Sequence, residues 1–257
     1  MKKIGLVLGA GGARGMCHLG VLKALQERGI EVYCVAGSSM GAVAAGLFAA
    51  GISLDEMERL TSVVRQTFVM DLNINIRRRY GLFQGRRVMK LLCELLGDKR
   101  IEDCAIKCCA TGIDVESGEL FIFNKGILRD AIRASMAIPA VFVPWEINGR
   151  TYMDGGVLCR LPVQCARDMG ADAIIAVDAL GPARQASVPK GVLGMLQRYY
   201  EITDWAVAKE QAHDADVLIT PDMGDKSMFL FKDNGDAVKA GYDAAVAAMP
   251  DILKIIK

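Results

Sequence analysis

The stretch Val32-Tyr-Cys-Val-Ala-Gly37 is an apolar strand that runs without a linker into Ser38-Ser39-Met40-Gly41 and then into the small-residue helix Ala42 to Gly46. Strand, sharp turn and helix in immediate succession point to an α/β chain. Glycines on both sides of Ser39 remove the side chains that would collide as strand and helix close, and the turn projects the serine hydroxyl away from the backbone. Ser39 is the candidate nucleophile. The pattern Gly-x-Ser-x-Gly also arises in ordinary loops, so its weight comes from this placement.

A second unit of the same kind precedes it. Lys3 to Leu8 is a continuous apolar run that ends in Gly9-Ala10-Gly11-Gly12-Ala13-Arg14-Gly15, after which Met16, Leu19, Leu22 and Leu25 recur at helical spacing as far as Gly29. A glycine loop at a helix N-terminus turns backbone N–H groups toward one point and favours an anion there. A dinucleotide is a poor fit for that anion. The third glycine of the fingerprint falls where Arg14 stands, and the next strand ends in the serine turn instead of an acidic residue for a ribose. No cofactor is expected.

The 257 residues suffice for one sizeable core, and a single domain spanning 1–257 is expected. Lys plus Arg number 31 and Asp plus Glu 30, so no global field draws the chain to nucleic acid. The two N-terminal lysines precede an apolar run that stops at Gly9, which reads as a first strand and not a signal peptide. The longest weakly polar run, Met40 to Ile52, falls short of the roughly 18 residues a membrane span needs. A cytoplasmic location is expected, with contact at the inner membrane surface allowed. Of the eight cysteines most lie in apolar contexts and read as buried free thiols. Cys104, Cys108 and Cys109 lack a second ligand pair, so no metal site is expected.

Further along, Ser53 with Asp55 and Glu56 opens a helix to about Val64. Arg77-Arg78-Arg79 with Arg86-Arg87 forms the main basic concentration; it reads as a solvated loop or as a patch for acidic head groups. Val88 to Leu96 is a helix stopped by Gly97. Ile106–Ile113 and Glu119–Phe123 are strands joined by a tight turn. Ile127 to Met136 is a helix, and two prolines keep the segment from Ala137 to Pro144 extended. A short strand then delivers Asp154 ahead of Gly155-Gly156. Helices from Leu161 and over Gly191 to Ala212 flank a strand at Ala173–Val177, and Val217–Thr220 is the last strand. Two helical stretches, Asp236–Ala248 and Asp251–Ile256, finish the chain. The alternation predicts a mostly parallel sheet with helices on both faces and a site at the carboxyl ends of the strands.

A serine needs a base, and the chain has only two histidines. His18 sits among Leu19 and Leu22 and reads as a packing residue. His213, at a polar helix end, stays open as the third member of a Ser, Asp, His order. The alternative base is Asp154 itself. An ordinary aspartate, with a pKa near about 4, is weak at neutral pH, so this reading requires partial burial and a short hydrogen bond to Ser39.

Taken together, Gly11-Gly12-Ala13-Arg14-Gly15 after a first strand, Gly37-x-Ser39-x-Gly41 after a second, Ala134-Ser-Met-Ala-Ile-Pro139 before an extended Val-Phe-Val-Pro144, and Asp154-Gly-Gly resemble the bacterial patatin-like phospholipase family. The resemblance covers Ile4 to about Val177. It implies a three-layer α/β/α sandwich and hydrolysis of lipid acyl esters by a Ser–Asp dyad without metal. Matched position by position, it gives Ser39 as nucleophile, Asp154 as base, and Gly11, Gly12 and Ala13 as oxyanion-hole amides, joined by the Met40 N–H. Arg14 takes the basic position of the loop, with a role in substrate binding or in orienting the loop. The family loop often begins with three glycines, and Ala10 replaces the first, which is harmless where no positive φ is required. The expected substrate is a phospholipid, lysophospholipid or related ester. The same acyl-enzyme would also serve an acyltransferase, and a regulatory protein on this fold is a further reading. Leu193–Leu196 and Met228–Phe231 are candidate acyl-tunnel stretches, although such stretches more often serve as core or helix packing.

Overall fold

A computed structural model describes residues 2–64, 71, 80–182, 188–189 and 191–257; the run Arg77-Arg78-Arg79 lies outside them. The elements are β1 (Ile4–Leu8), α1 (Cys17–Glu27), β2 (Cys34–Gly37), α2 (Met40–Ala49), α3 (Leu54–Val63), β3 (Gly81–Phe83), α4 (Arg86–Leu96), β4 (Lys107–Asp114) and β5 (Leu120–Phe123). They continue with α5 (Leu128–Ser135), β6 (Ala140–Phe142), β7 (Trp145–Ile147), β8 (Arg150–Asp154), α6 (Val163–Asp168), β9 (Ala173–Val177), α7 (Gly191–His213), β10 (Val217–Ile219) and α8 (Asn234–Ile255).

The main sheet has the order β10-β9-β1-β2-β4-β8-β7, with β5 attached to β4. From β10 to β4 every pairing is parallel, while β5, β7 and β8 are antiparallel additions. Because the parallel strands are buried on both faces, their apolar runs are continuous instead of alternating with polar residues. Leu6, Leu8, Val35, Ile175 and Val177 face one core with α1, α2, α3 and α8. Val7, Cys34, Ala36, Ile174 and Ala176 face the other with α6. This is the three-layer α/β/α sandwich.

The pairing of β4 explains how the site assembles. Its residues Ala110 to Ile113 pair with β5 along one edge, so β2 and β8 must share the other edge. There Gly37 lies opposite Ala110 and Asp154 opposite Gly112. Two strands running in opposite directions thus end almost head to head, and the residues that follow them converge.

Two features depart from the sequence reading. The chain ends in one helix, α8, which passes through Pro250. The proline is exposed, so the hydrogen bond it lacks falls on the solvent side while Met249 and Ile252 stay buried. Glycines 20 and 241 let α1 and α8 touch backbone to backbone: a Cβ on Gly20 would lie 1.9 Å from the Val238 carbonyl oxygen, and one on Gly241 2.0 Å from that of Cys17. The second concerns the thiols. All eight are free, but Cys93 is exposed, and Cys104 and Cys165 are only half-buried.

Candidate active site

β2 delivers the chain into the turn at Ser39, whose backbone has φ +54° and ψ −122°, a conformation costly for a residue with a side chain. The turn survives because its neighbours are glycine. A Cβ on Gly37 would lie 2.4 Å from the Gly41 carbonyl oxygen, and one on Gly41 1.9 Å from that of Leu8. Ser39 precedes the first residue of α2, so its hydroxyl stands at the positive end of that helix.

The Ser39 hydroxyl donates to Asp154 Oδ2 at 2.5 Å, and the Gly156 N–H donates to Oδ1 at 2.7 Å. Both side chains are buried. Burial pushes the Asp154 carboxyl up to about 7, against the lowering effect of these two hydrogen bonds. The carboxylate is therefore a usable base near neutral pH. Gly155 leaves room for it: a Cβ there would meet Thr111 Oγ1 at 2.3 Å.

The segment Ala134 to Pro139 holds both partners. Ser135 Oγ accepts the Ser39 N–H at 3.0 Å, and the Ala137 carbonyl accepts the Asp154 N–H at 3.0 Å. On the other side Thr111 Oγ1 donates to Ser38 Oγ at 2.9 Å. No role for Ser135, Thr111 or Ser38 was legible in the sequence, although Ser135 lies inside one of the motifs.

Gly12 has φ +52°, whereas Gly11 is extended and Ala10 has no positive φ, so alanine is accommodated at that position. Among the described residues the N–H groups of Gly11, Gly12 and Met40 have no hydrogen-bond partner. The Ala13 N–H does have one, donating to the Met228 carbonyl at 2.8 Å. Arg14 Nε donates to the Lys226 carbonyl at 2.5 Å, and Nη1 to that of Leu180 at 3.2 Å.

The structure separates both histidines from the Ser39–Asp154 hydrogen bond. His213 is exposed beside Asp214, with 3.8 Å between Nδ1 and the carboxylate. His18 is buried and its Nε2 lies 2.8 Å from the Gly9 carbonyl, to which it donates. Burial lowers its pKa to about 4, so it is a neutral strut behind the glycine loop. A buried ion cluster also supports that loop. The Arg160 guanidinium pairs with Asp178 and with Asp204 (2.7 Å), while the Arg160 carbonyl accepts the Ala10 N–H at 3.0 Å.

Ser39 stands at the head of an apolar cavity that, with its open mouth, encloses about 1190 Å³. Leu47, Leu60, Leu92 and Phe142 are among its walls, and Met228, Phe229 and Phe231 close one side. These last three place that stretch on the cavity wall. The side chains of Leu193 and Leu196 lie outside the described residues, and Met195 is exposed.

The model of the patatin-like phospholipase family matches residues 6–166 of this chain. The chain belongs to the patatin-like phospholipase family. Proteins of the NTE family from Mycobacterium tuberculosis and Mycobacterium bovis are 39% identical over 188 residues, covering 72% of this chain and 52% of theirs. The match thus spans about half the length of these relatives. Lysophospholipase NTE1 of Saccharomyces cerevisiae is 36% identical over 185 residues, 69% of this chain and 11% of its own. Among solved structures, VipD from Legionella pneumophila superposes with a TM-score of 0.58 at 16% identity, covering 97% of this chain and 66% of that one. The type III effector ExoU gives 0.51 at 16% identity over 97% and 53%. These two carry the patatin fold to this chain and nothing finer. Among the described residues of this patatin-like chain, no cluster of three or more His, Cys, Asp or Glu could hold a metal ion. No helix of the described residues is long and apolar enough to cross a membrane.

Proposed function

We propose that the chain, acting as a single domain over residues 1–257, is a serine hydrolase of carboxylic esters in phospholipids or lysophospholipids. The observation that carries this reading is the 2.5 Å hydrogen bond from Ser39 to Asp154 at the head of an apolar cavity. Asp154 accepts the proton as Ser39 Oγ attacks the ester carbonyl. The Gly11, Gly12 and Met40 amides, unpartnered and next to the positive end of α2, receive the oxyanion. Asp154 then returns the proton to the leaving alcohol, and the acyl group remains on Ser39 with its chain in the cavity. Water, deprotonated by the same carboxylate, releases the fatty acid.

The cavity mouth supports contact with a lipid surface. Val63, Leu82 and Leu230 are exposed and adjoin the lining residues Val64, Phe83, Phe229 and Phe231. Arg86 and Arg87, exposed at the start of α4, add positive charge that suits anionic head groups. Eight free thiols support a reducing, cytoplasmic compartment.

Labelling with a fluorophosphonate probe and hydrolysis of a short chromogenic ester test the reading together. Wild type should react at one site and turn over, and Ser39→Ala should do neither. Turnover that survives in Ser39→Ala overturns it.

A further inference from the structure

Residues 226 to 233 form a strap across the glycine loop. Lys226 closes it at the base, with Nζ donating to the carbonyls of Lys232 (2.7 Å) and Asp233 (2.6 Å). Asn234, immediately after it, ties it to the end of α3 through bonds to the carbonyls of Thr61 (2.9 Å) and Val64 (2.7 Å). Between these anchors the Met228 carbonyl reaches the Ala13 N–H, and Met228, Phe229 and Phe231 turn into the cavity. The contact with the loop is backbone on backbone: a Cβ on Gly12 would lie 2.2 Å from the Met228 oxygen.

Arg14 holds this strap from the other side. Its guanidinium bridges two carbonyls, that of Lys226 in the strap and that of Leu180 in the turn after β9. That turn is itself fixed, because Asp178 Oδ1 accepts the N–H groups of Leu180 and Gly181 at 3.2 Å and pairs with buried Arg160. A loop built on Gly11 and Gly12 has little conformational preference of its own, so its two open amides need an external support to stay aimed. The strap supplies that support at the next residue.

Resting on the reading of Ser39 as nucleophile and of these amides as the oxyanion hole, we propose that Arg14 is a positioning residue. It locks the strap onto the glycine loop, and so sets both the aim of the Gly11 and Gly12 amides and the wall that meets the acyl chain. It does not read a head group.

The test pairs kinetics on two neutral esters, p-nitrophenyl butanoate and p-nitrophenyl decanoate, with hydrogen–deuterium exchange. Neither ester carries a phosphate, so a residue that reads head groups is silent on both. Arg14→Gln is expected to lower kcat on both esters about tenfold or more, with KM for butanoate little changed, and to weaken the preference between them. Amide exchange should accelerate in the peptides covering Ala13 and residues 226–233, and Arg14→Lys, which keeps a donor within reach of the Lys226 carbonyl, should restore much of the protection. Neutral-ester kinetics equal to wild type, with loss confined to a lysophospholipid, overturns the proposal in favour of head-group binding. Unchanged exchange in both peptides overturns it as well. If wild type shows no Ser39-dependent ester turnover, the hydrolase reading fails, and the exchange data still decide whether Arg14 holds the strap. Thermal melts of the variants separate a local release from global unfolding.

Discussion

Ser39 Oγ and Asp154 Oδ2 are 2.5 Å apart although the two residues are 115 positions apart in the chain. One strand edge makes this distance possible. β2 and β8 approach along the same edge of β4 from opposite ends, and Ser135 and Ala137 then fix the backbone N–H groups of the two partners. The Ser39–Asp154 pair is a property of the sheet as much as of two side chains.

The pH dependence of turnover follows from where Asp154 sits. Burial raises its carboxyl to about 7, and a base works only when deprotonated. Activity should therefore rise with pH through about 7 and level off above it. The profile of kcat/KM on a neutral ester checks this, and His213→Ala should leave the curve in place because His213 is exposed beside Asp214 and makes no hydrogen bond to Ser39 or Asp154. A curve already flat at pH 5 would mean that the carboxylate is not held in the environment described.

The same shift has a cost in stability, with a definite sign. Between the ordinary value of 3.8 and about 7, folded Asp154 holds a proton that the unfolded chain releases, so stability falls as pH rises across that window. Asp154→Asn removes the titration. It should abolish most turnover, by about 10³–10⁴-fold, and yet melt several degrees above wild type at pH 8. Melting at pH 5 and pH 8 checks it: the gap should narrow at the lower pH.

Backbone strain at Ser39 gives an independent prediction. Ser39 holds φ +54°, where glycine is unstrained and alanine is not. Both Ser39→Gly and Ser39→Ala should be inactive, but the glycine variant should be the more stable by about 1 kcal/mol in urea unfolding.

The strand–turn–helix order, the parallel core and the sharp turn at Ser39 are legible in the sequence because glycine spacing and apolar runs are local signals, whereas Asp154 is singled out only by the resemblance of the ordered motifs. What is not legible comes from pairing between distant segments. Ser135 carries no local mark of its role as acceptor for the Ser39 N–H, and the Ala13 N–H looks as available as its neighbours until Met228 is seen to occupy it. Likewise Gly20 and Gly241 read as ordinary helix residues, since only the crossing of α1 and α8 shows that neither can carry a Cβ.

Ser135 supplies a test of that hidden support. Ser135→Ala leaves the buried N–H of Ser39 without an acceptor, which should cost about 1–3 kcal/mol in unfolding free energy. It should also lower kcat by roughly tenfold while the fluorophosphonate probe still reacts. Wild-type kinetics in a destabilised Ser135→Ala would assign the bond to folding alone.

Membrane contact is checked by vesicle sedimentation. Leu82→Glu places a charge on the exposed apolar rim, next to lining residue Phe83. Binding to vesicles containing anionic lipid should weaken about fivefold or more, and Arg86→Glu should weaken it further and remove its salt dependence. Equal sedimentation of all three proteins would place the contact elsewhere.

Gly12 and Gly118 separate backbone strain from crowding. Both have positive φ, +52° and +73°, so alanine costs each about 1 kcal/mol through its backbone alone. Around Gly118, in the exposed turn between β4 and β5, no atom lies within 4 Å of an added Cβ, and Gly118→Ala should lose only that much stability and no activity. At Gly12 the added carbon meets the Met228 carbonyl at 2.2 Å, against backbone that cannot rotate away as a side chain can. Relief requires the loop or the strap to move, and either motion displaces the Gly11 and Gly12 amides proposed to receive the oxyanion. Gly12→Ala should therefore lose at least about 10²-fold in kcat, the effect of removing an oxyanion donor, with a melting change no more than a few degrees beyond that of Gly118→Ala.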